Sequence, residues 1–384
     1  MNPATTPFDF TTPIDRTTTP GEKWGKYAGR DVIPMWVADM DFAAPSAVLD
    51  ALHSRIDHGV FGYTDAWPGL VEAVIDGIEH DHRWRIEPDW IVWLPGVVTG
   101  FNVACLLAGE PGDSVFTTTP VYPPFLQAPG NTIRQLQRAD MVERAGRWEW
   151  DWDAVDAAMD PTTRLVLLCN PHNPIGRVFT RDELSALAQR AEARDLIICS
   201  DEIHCGLVLD GEHIPIASLD EHIARRTITL MAPSKTWNIP ALYASFAIIP
   251  DATLRVRYKR AMRGLVPHPN VLGLVATEAA YRDGNPWREA LLDTLRENRQ
   301  RVLTAIDAMP GLRTTSPEAT YLAWIDCRDA GLENAADFFE THGVGLSNGT
   351  YFGAPEGWVR LNFGCPAQTL EAGLARMAAA LASR

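Results

Sequence analysis

The stretch Arg164-Leu165-Val166-Leu167-Leu168, followed by residues 180–194 and then by Leu196-Ile197-Ile198-Cys199-Ser200-Asp201, decides the fold of this 384-residue chain. The two apolar runs are short and nearly continuous, which reads as strands buried on both faces. Between them Leu184, Leu187, Ala188 and Ala191 repeat at i, i+3, i+4 and i+7, the apolar stripe of a helix. Thr180 and Glu183 have the spacing of a capping box at its start. A strand, a crossover helix and a second strand make neighbouring parallel strands.

Working outward, further apolar runs occur at Ile91-Val92-Trp93-Leu94, Ser114-Val115-Phe116-Thr117, Thr227-Ile228-Thr229-Leu230-Met231 and Ser245-Phe246-Ala247-Ile248-Ile249, with helical stretches between them. The expected class is α/β, with a mostly parallel central sheet in a large domain and a smaller α+β domain. Residues 1–45, rich in Thr, Pro and Gly without helical period, read as an extended N-terminal arm contributing to the small domain. Residues 46–265 form the expected large cofactor-binding domain, with Ser46 as N-cap of its first helix. Residues 266–384 form the small C-terminal domain, with strand-like runs at Thr320-Tyr321-Leu322-Ala323-Trp324-Ile325 and Val359-Arg360-Leu361-Asn362-Phe363.

Polar residues at or just past these runs carry the chemistry. Asp201 sits at the end of one strand, where an α/β protein places ligand-binding groups. Lys235, in Ala232-Pro233-Ser234-Lys235-Thr236, follows another. A lone lysine after a strand is usually a solvated charge; here it is joined by Asn173, in Asn170-Pro171-His172-Asn173-Pro174, and by Arg360. An amine, an acid, an amide and a guanidinium suit pyridoxal 5'-phosphate. The lysine amine holds the aldehyde. A buried carboxylate keeps the ring nitrogen protonated, so that the ring can act as an electron sink. Asn173 donates to the ring's phenolic oxygen, and Arg360 grips an α-carboxylate with two parallel hydrogen bonds. Leu94-Pro95-Gly96-Val97-Val98-Thr99-Gly100 follows a strand and opens an apolar helix, whose first amides can bind a phosphate.

These strings, together with Trp36-Val37-Ala38-Asp39-Met40-Asp41-Phe42, Ser200-Asp201-Glu202-Ile203-His204 and Val359-Arg360-Leu361-Asn362-Phe363-Gly364-Cys365-Pro366, resemble the fold-type I pyridoxal-phosphate enzymes of the class I/II aminotransferase superfamily. Within it they most resemble the cystathionine β-lyase or cysteine C–S lyase branch, and the similarity runs over nearly the whole chain. The resemblance implies phosphate contacts at Val97 and Val98, with Ser234 adding a hydroxyl. It implies that Tyr122 is catalytic, stacking on the pyridine ring with its hydroxyl steering the substrate amine or leaving group, against the alternative of a turn tyrosine beside prolines. Tyr63 matches a tyrosine that reaches the phosphate of the other subunit; the alternative is a half-buried aromatic. His204 stands where many aminotransferases carry a tyrosine bonded to the phenolic oxygen. Tyr243 replaces an arginine that often contacts the phosphate, and Ala232 a frequent serine. His172 and His204 are expected to support the site rather than to transfer protons.

Composition sets limits. The net charge of −15 speaks against a nucleic-acid partner, which needs clustered Lys and Arg. No run approaches the ~18 apolar residues of a membrane span. The polar start, Met1-Asn2-Pro3-Ala4-Thr5-Thr6-Pro7, lacks the basic and apolar regions of a secretory leader, so a cytoplasmic protein is expected. The six cysteines form no Cys-x-x-Cys pair, and Cys199, His204 and Cys205 lack a second ligand pair for zinc, so no metal is expected.

The expected reaction is β-elimination on a small amino-acid substrate. Cystathionine or another cysteine S-conjugate would give thiol, pyruvate and ammonia, with Lys235 as base, Asp201 opposite the ring nitrogen and Arg360 on the carboxylate. The alternatives are an amino-acid aminotransferase and, last, a non-catalytic amino-acid sensor. The arm and Tyr63 lead to the expectation of a homodimer whose sites are shared.

Overall fold

The computed structural model describes residues 8–384; residues 1–7, with the start read above for a leader, lie outside the described residues. An eight-stranded sheet forms the centre. In chain order its strands are β1 (Ile91–Leu94), β2 (Ser114–Thr119), β3 (Gln135–Arg144), β4 (Arg147–Trp150), β5 (Thr163–Cys169), β6 (Ile197–Asp201), β7 (Thr227–Met231) and β8 (Ser245–Ile248). Their spatial order is β1-β8-β7-β6-β5-β2-β3-β4. Strands β7, β6, β5, β2 and β3 are parallel neighbours, while β8 and β4 run against theirs. The expected α/β class and mostly parallel sheet are therefore observed.

The apolar runs are continuous because the sheet is covered twice. Along β5, Leu165, Leu167 and Cys169 enter one core with Phe101, Cys105 and Leu230. Val166 and Leu168 enter the other, with Leu184, Leu187 and Ile198. Each fully buried Leu or Val is worth about 1.5–3 kcal/mol, and a one-residue register slip would exchange the two sets. The helix over 180–194 is observed as Arg181–Ala193; Thr180 accepts from the Glu183 amide and Glu183 reaches back to the Thr180 amide.

Two expectations need correcting. Ser46 does not cap the helix Ser46–His58: it lies already inside the helix, Pro45 holds the cap position, and no side chain bonds the first turn. The arm is not wholly extended either, since Glu22–Gly25 is a short helix. Ile33–Pro34 pairs in parallel with Val344–Gly345.

A second, four-stranded sheet is antiparallel, with β9 (Arg313–Thr314), β10 (Leu322–Asp326), β11 (Ser347–Asn348) and β12 (Trp358–Asn362) in the order β9-β10-β12-β11. Its alternation separates two environments. Val359 and Leu361 join a core with the helix Asn285–Asp307, whereas Trp358 stacks on Trp324 towards the large sheet, 5.4 Å between ring centres. Arg360 shares the Trp358 face, so the period of two aims it at the large sheet. Among the described residues no helix is long and apolar enough to cross a membrane.

Candidate active site

Strand register gathers the predicted polar residues. Asp201, the last residue of β6, lies between Cys169 of β5 and Leu230 of β7. The chain leaving β5 therefore carries Asn173, and the chain leaving β7 carries Lys235, past the same sheet edge on either side of Asp201. This is the carboxyl edge of a parallel sheet, the usual place for a ligand crevice.

Arg360 reaches this crevice from the small sheet. It is 5% exposed. Its Nη1 donates to Asn173 Oδ1 at 2.9 Å, and its Nη2 to the Trp36 carbonyl at 2.8 Å and to Ser347 Oγ at 3.4 Å. The guanidinium lies over the Phe352 ring at 4.7 Å. Its Nε is buried with no partner, and among the described residues no carboxylate pairs with it. Burial lowers its pKa to about 10, against the pull of Tyr122 and Tyr321. A buried cation lacking a counter-ion is expensive and is the signature of a site that receives an anion.

Lys235 is half-buried. Its Nζ donates to the Ala38 carbonyl at 2.6 Å, and the same oxygen accepts from the Tyr321 hydroxyl at 3.0 Å. The enclosing crevice lowers its pKa to about 8; Arg360 adds to the effect, while Asp39 and Asp201 oppose it. Such an amine has an appreciable neutral fraction near neutrality, as a nucleophile or base requires. Asp201 is 3% exposed, and burial raises its carboxyl to about 7 even though it accepts from the Ile203 amide at 3.1 Å. A protonated ring nitrogen beside it would supply the positive charge that Asp201 lacks.

The loop carrying Ala38 is locked from the arm. Arg16 grips both oxygens of Asp39 at 2.9 Å and reaches Asp41 at 2.8 Å. The fully buried Lys23 bonds Asp41 at 2.7 Å and the Asp39 carbonyl at 2.8 Å. Asn362 Nδ2 donates to the carbonyls of Val37 and Asp39 at 2.6 and 2.8 Å.

The remaining predicted residues fall as follows. Val97 and Val98 open the helix Val97–Leu107, so their amides belong to a first turn that lacks intrahelical partners. The space beside Gly96 is open, which leaves room for an anion there. Ser234 is half-buried beside Lys235. Tyr122 precedes the helix Pro123–Asn131, and burial together with the nearby Asp201 raises its phenol above the usual range. That interaction puts Tyr122 within electrostatic reach of Asp201 and Arg360 rather than in a remote turn. His204 is buried, its Nδ1 is unpartnered, and burial lowers its pKa to about 3, reinforced by Lys235 and Arg360. His172 has Nε2 2.8 Å from the Pro120 carbonyl and Nδ1 3.2 Å from that of Cys169, a brace between two loops.

Tyr63 is not a half-buried aromatic: it is 110% exposed. Within one chain the structure therefore does not bring it into the crevice. Tyr243 is also exposed, with φ at 50°. Sequence reasoning missed Tyr321, Ser347, Phe352 and the carbonyls of Trp36 and Ala38. No side-chain pattern encodes a carbonyl acceptor; only the period of β12, which pairs Arg360 with Ser347, held a clue.

Known proteins are similar to this chain over nearly its whole length. The aminotransferase class I and II family profile matches residues 30–377. The cystathionine β-lyase PatB of Bacillus subtilis is 37% identical over 379 residues, covering 96% of this chain and 98% of that protein. The crystal structure of OvoB superposes with a TM-score of 0.96 at 47% identity, covering 98% of this chain and 100% of that one. Cystalysin from Treponema denticola, whose crystal structure contains a pyridoxal 5'-phosphate cofactor, gives a TM-score of 0.94 at 32% identity, covering 98% and 99%. With its fold and nearly its whole length in common with these proteins, the chain belongs to the aminotransferase class I and II family.

Proposed function

We propose that this protein is a pyridoxal-phosphate-dependent carbon–sulfur β-lyase that cleaves cystathionine or other cysteine S-conjugates to thiol, pyruvate and ammonia. The observation that carries the reading is Arg360, a buried guanidinium without a counter-ion whose charge acts on Lys235. An amino-acid carboxylate is the anion that such a position beside an amine can use.

The residues present fit the cofactor. Lys235 offers an amine of lowered basicity for the aldehyde, and Asp201 a buried carboxylate for the ring nitrogen. The Asn173 oxygen is engaged by Arg360, which leaves its NH2 as the donor to the phenolic oxygen. The unpartnered Nδ1 of His204 lies buried within electrostatic reach of Lys235 and Arg360. The first-turn amides at Val97 and Val98, with Ser234, suit the phosphate, and Tyr122 offers a flat face to the ring. When bound, pyridoxal phosphate supplies the electron sink for negative charge at the α-carbon.

The chain does the rest. Arg360 fixes the α-carboxylate with its planar fork and so sets which α-bond faces the ring. Lys235 Nζ takes the α-proton. The electron pair left on the α-carbon forms the bond to Cβ as the Cβ–S pair departs with sulfur. Tyr122, a phenol protonated at neutral pH and within electrostatic reach of Asp201 and Arg360, is a donor for the leaving thiolate. The three-carbon fragment then hydrolyses to pyruvate and ammonium. The choice of elimination over amino transfer rests on the likeness to PatB and on Tyr243, which leaves no arginine at that place.

Assembly follows from the surface. Tyr63, Phe61, Val60 and Ile56 are large apolar side chains exposed on one short stretch of chain, a surface suited to a partner. A second copy would cover them and receive Tyr63 at its own phosphate, making the enzyme a homodimer.

Three outcomes test this reading. Holoenzyme given cystathionine or an S-alkylcysteine should release pyruvate, ammonium and thiol in equal amounts with no oxo acid added; a single turnover that resumes only on adding an oxo acid would assign amino transfer instead. Borohydride should fix the cofactor on the peptide containing Lys235, and Lys235→Ala should retain no fixed cofactor and almost no activity; label on another lysine removes the assignment. In sedimentation the active species should have twice the chain mass, and Tyr63→Ala should weaken cofactor retention; a fully active monomer would refute the shared site.

A further inference from the structure

The large sheet has a second recess at its opposite edge, where β5, β6 and β7 begin. It encloses about 490 Å³. Leu196, Ile197 and Leu254 give it an apolar floor, and Arg164, Arg225, Arg226 and Arg257 stand around it. His222, also on its rim, is exposed. In a chain of net charge −15, four guanidiniums gather around one recess.

The carboxylates nearby engage three of the four arginines and leave Arg257 free of one among the described residues. Asp251 is committed to the helix Ala252–Met262, accepting from the Leu254 amide at 2.7 Å. Asp195 is 98% exposed and 3.4 Å from Arg226, a solvent contact worth little. Arg164 leans on Asp113 at 3.3 Å, and Arg225 pairs with Glu221 of its own helix. Arg257 touches no carboxylate; its Nη2 donates to the Leu107 carbonyl at 3.1 Å. Arg226 Nη1 donates to the Leu196 carbonyl at 3.1 Å and to Asp195 at 3.4 Å, yet its Nε is buried without an acceptor among the described residues. The arginines thus come from three chain segments, and Arg257 among them has no carboxylate partner among the described residues.

We propose that this recess binds a small organic phosphate bearing two or more negative charges, with its phosphoryl oxygens on the arginine forks and its body on the apolar floor. Guanidinium forks match phosphoryl oxygens two by two. A recess of about 490 Å³ is far larger than a lone oxyanion fills, since one water takes about 30 Å³. The occupant therefore has a body as well as a charge. Nucleoside diphosphates and sugar phosphates share this chemistry. The strands place the recess a full strand length from Asp201, so its occupant is not the cofactor.

Calorimetry on borohydride-reduced holoenzyme, in which the cofactor cradle is already filled, tests the proposal with ADP, fructose 1,6-bisphosphate, inorganic pyrophosphate and citrate as probes. At least one of the two organic phosphates should bind at one site per chain and more tightly than pyrophosphate, and which of them binds tighter identifies the source of the phosphate. The affinity should fall as KCl is raised. Exchanging two exposed side chains, Arg225→Glu with Arg257→Glu, should weaken binding by about tenfold or more, while the fixed cofactor absorbance and circular dichroism stay unchanged. Absence of saturable binding, equal binding by the double variant, or citrate binding as tightly as the organic phosphates would each overturn the proposal.

Discussion

A buried positive charge with no negative partner is the constraint around which this molecule is arranged. Arg360 is held by an asparagine oxygen from beyond the large sheet, a carbonyl from the N-terminal arm and a hydroxyl from the small sheet. Neutral acceptors orient a guanidinium without cancelling its charge. The desolvation cost is carried by the rest of the fold, and on the proposed reading an incoming carboxylate would find a charge already positioned and partly dehydrated.

The same three parts of the chain meet at Lys235. Its amine points at the Ala38 carbonyl, which also accepts from Tyr321. The carbonyl stays in place because Arg16 and Lys23 tie the next residues down. Lys23 and Asp41 are 1% and 5% exposed, so removing either partner leaves a buried charge and costs about 3–5 kcal/mol. The arm is thus a structural part of the crevice wall. The lowered basicity of Lys235 follows from that enclosure and from the charge of Arg360.

Much of this was legible in the sequence. The strand–helix–strand unit at 164–201 declared itself because a doubly covered sheet demands continuous apolar runs and a crossover helix demands a stripe. Asp201, Asn173, Lys235 and Arg360 could be placed because each lies in or just past such a run. Strands β3 and β4 were not read. In β3 only Ala139 and Met141 are buried, so its ten residues look polar, and its neighbour β4 is only four residues long. The cap at Ser46 failed because Pro45 already sets the helix entry. Contacts made by the Trp36 and Ala38 carbonyls depend on where the arm folds back, which no local pattern records. Tyr63 is the opposite case: its residue type suggested a role, and within one chain it stands fully exposed, outside the crevice.

The most direct measurement of the central claim, that Arg360 is the carboxylate receptor, compares two unreactive ligands on the holoenzyme. One is an α-methyl cysteine S-conjugate, which has no α-proton to lose; the other is the matching amine without its carboxylate. Binding is read from the cofactor absorbance in the wild-type protein and in Arg360→Lys, which keeps the charge but loses the planar fork. The account predicts that wild type prefers the carboxylate ligand by roughly ten- to a hundredfold, the worth of about 1.5–3 kcal/mol of charged hydrogen bonding, and that Arg360→Lys loses most of that preference while still holding the cofactor. An unchanged preference in the variant would contradict it.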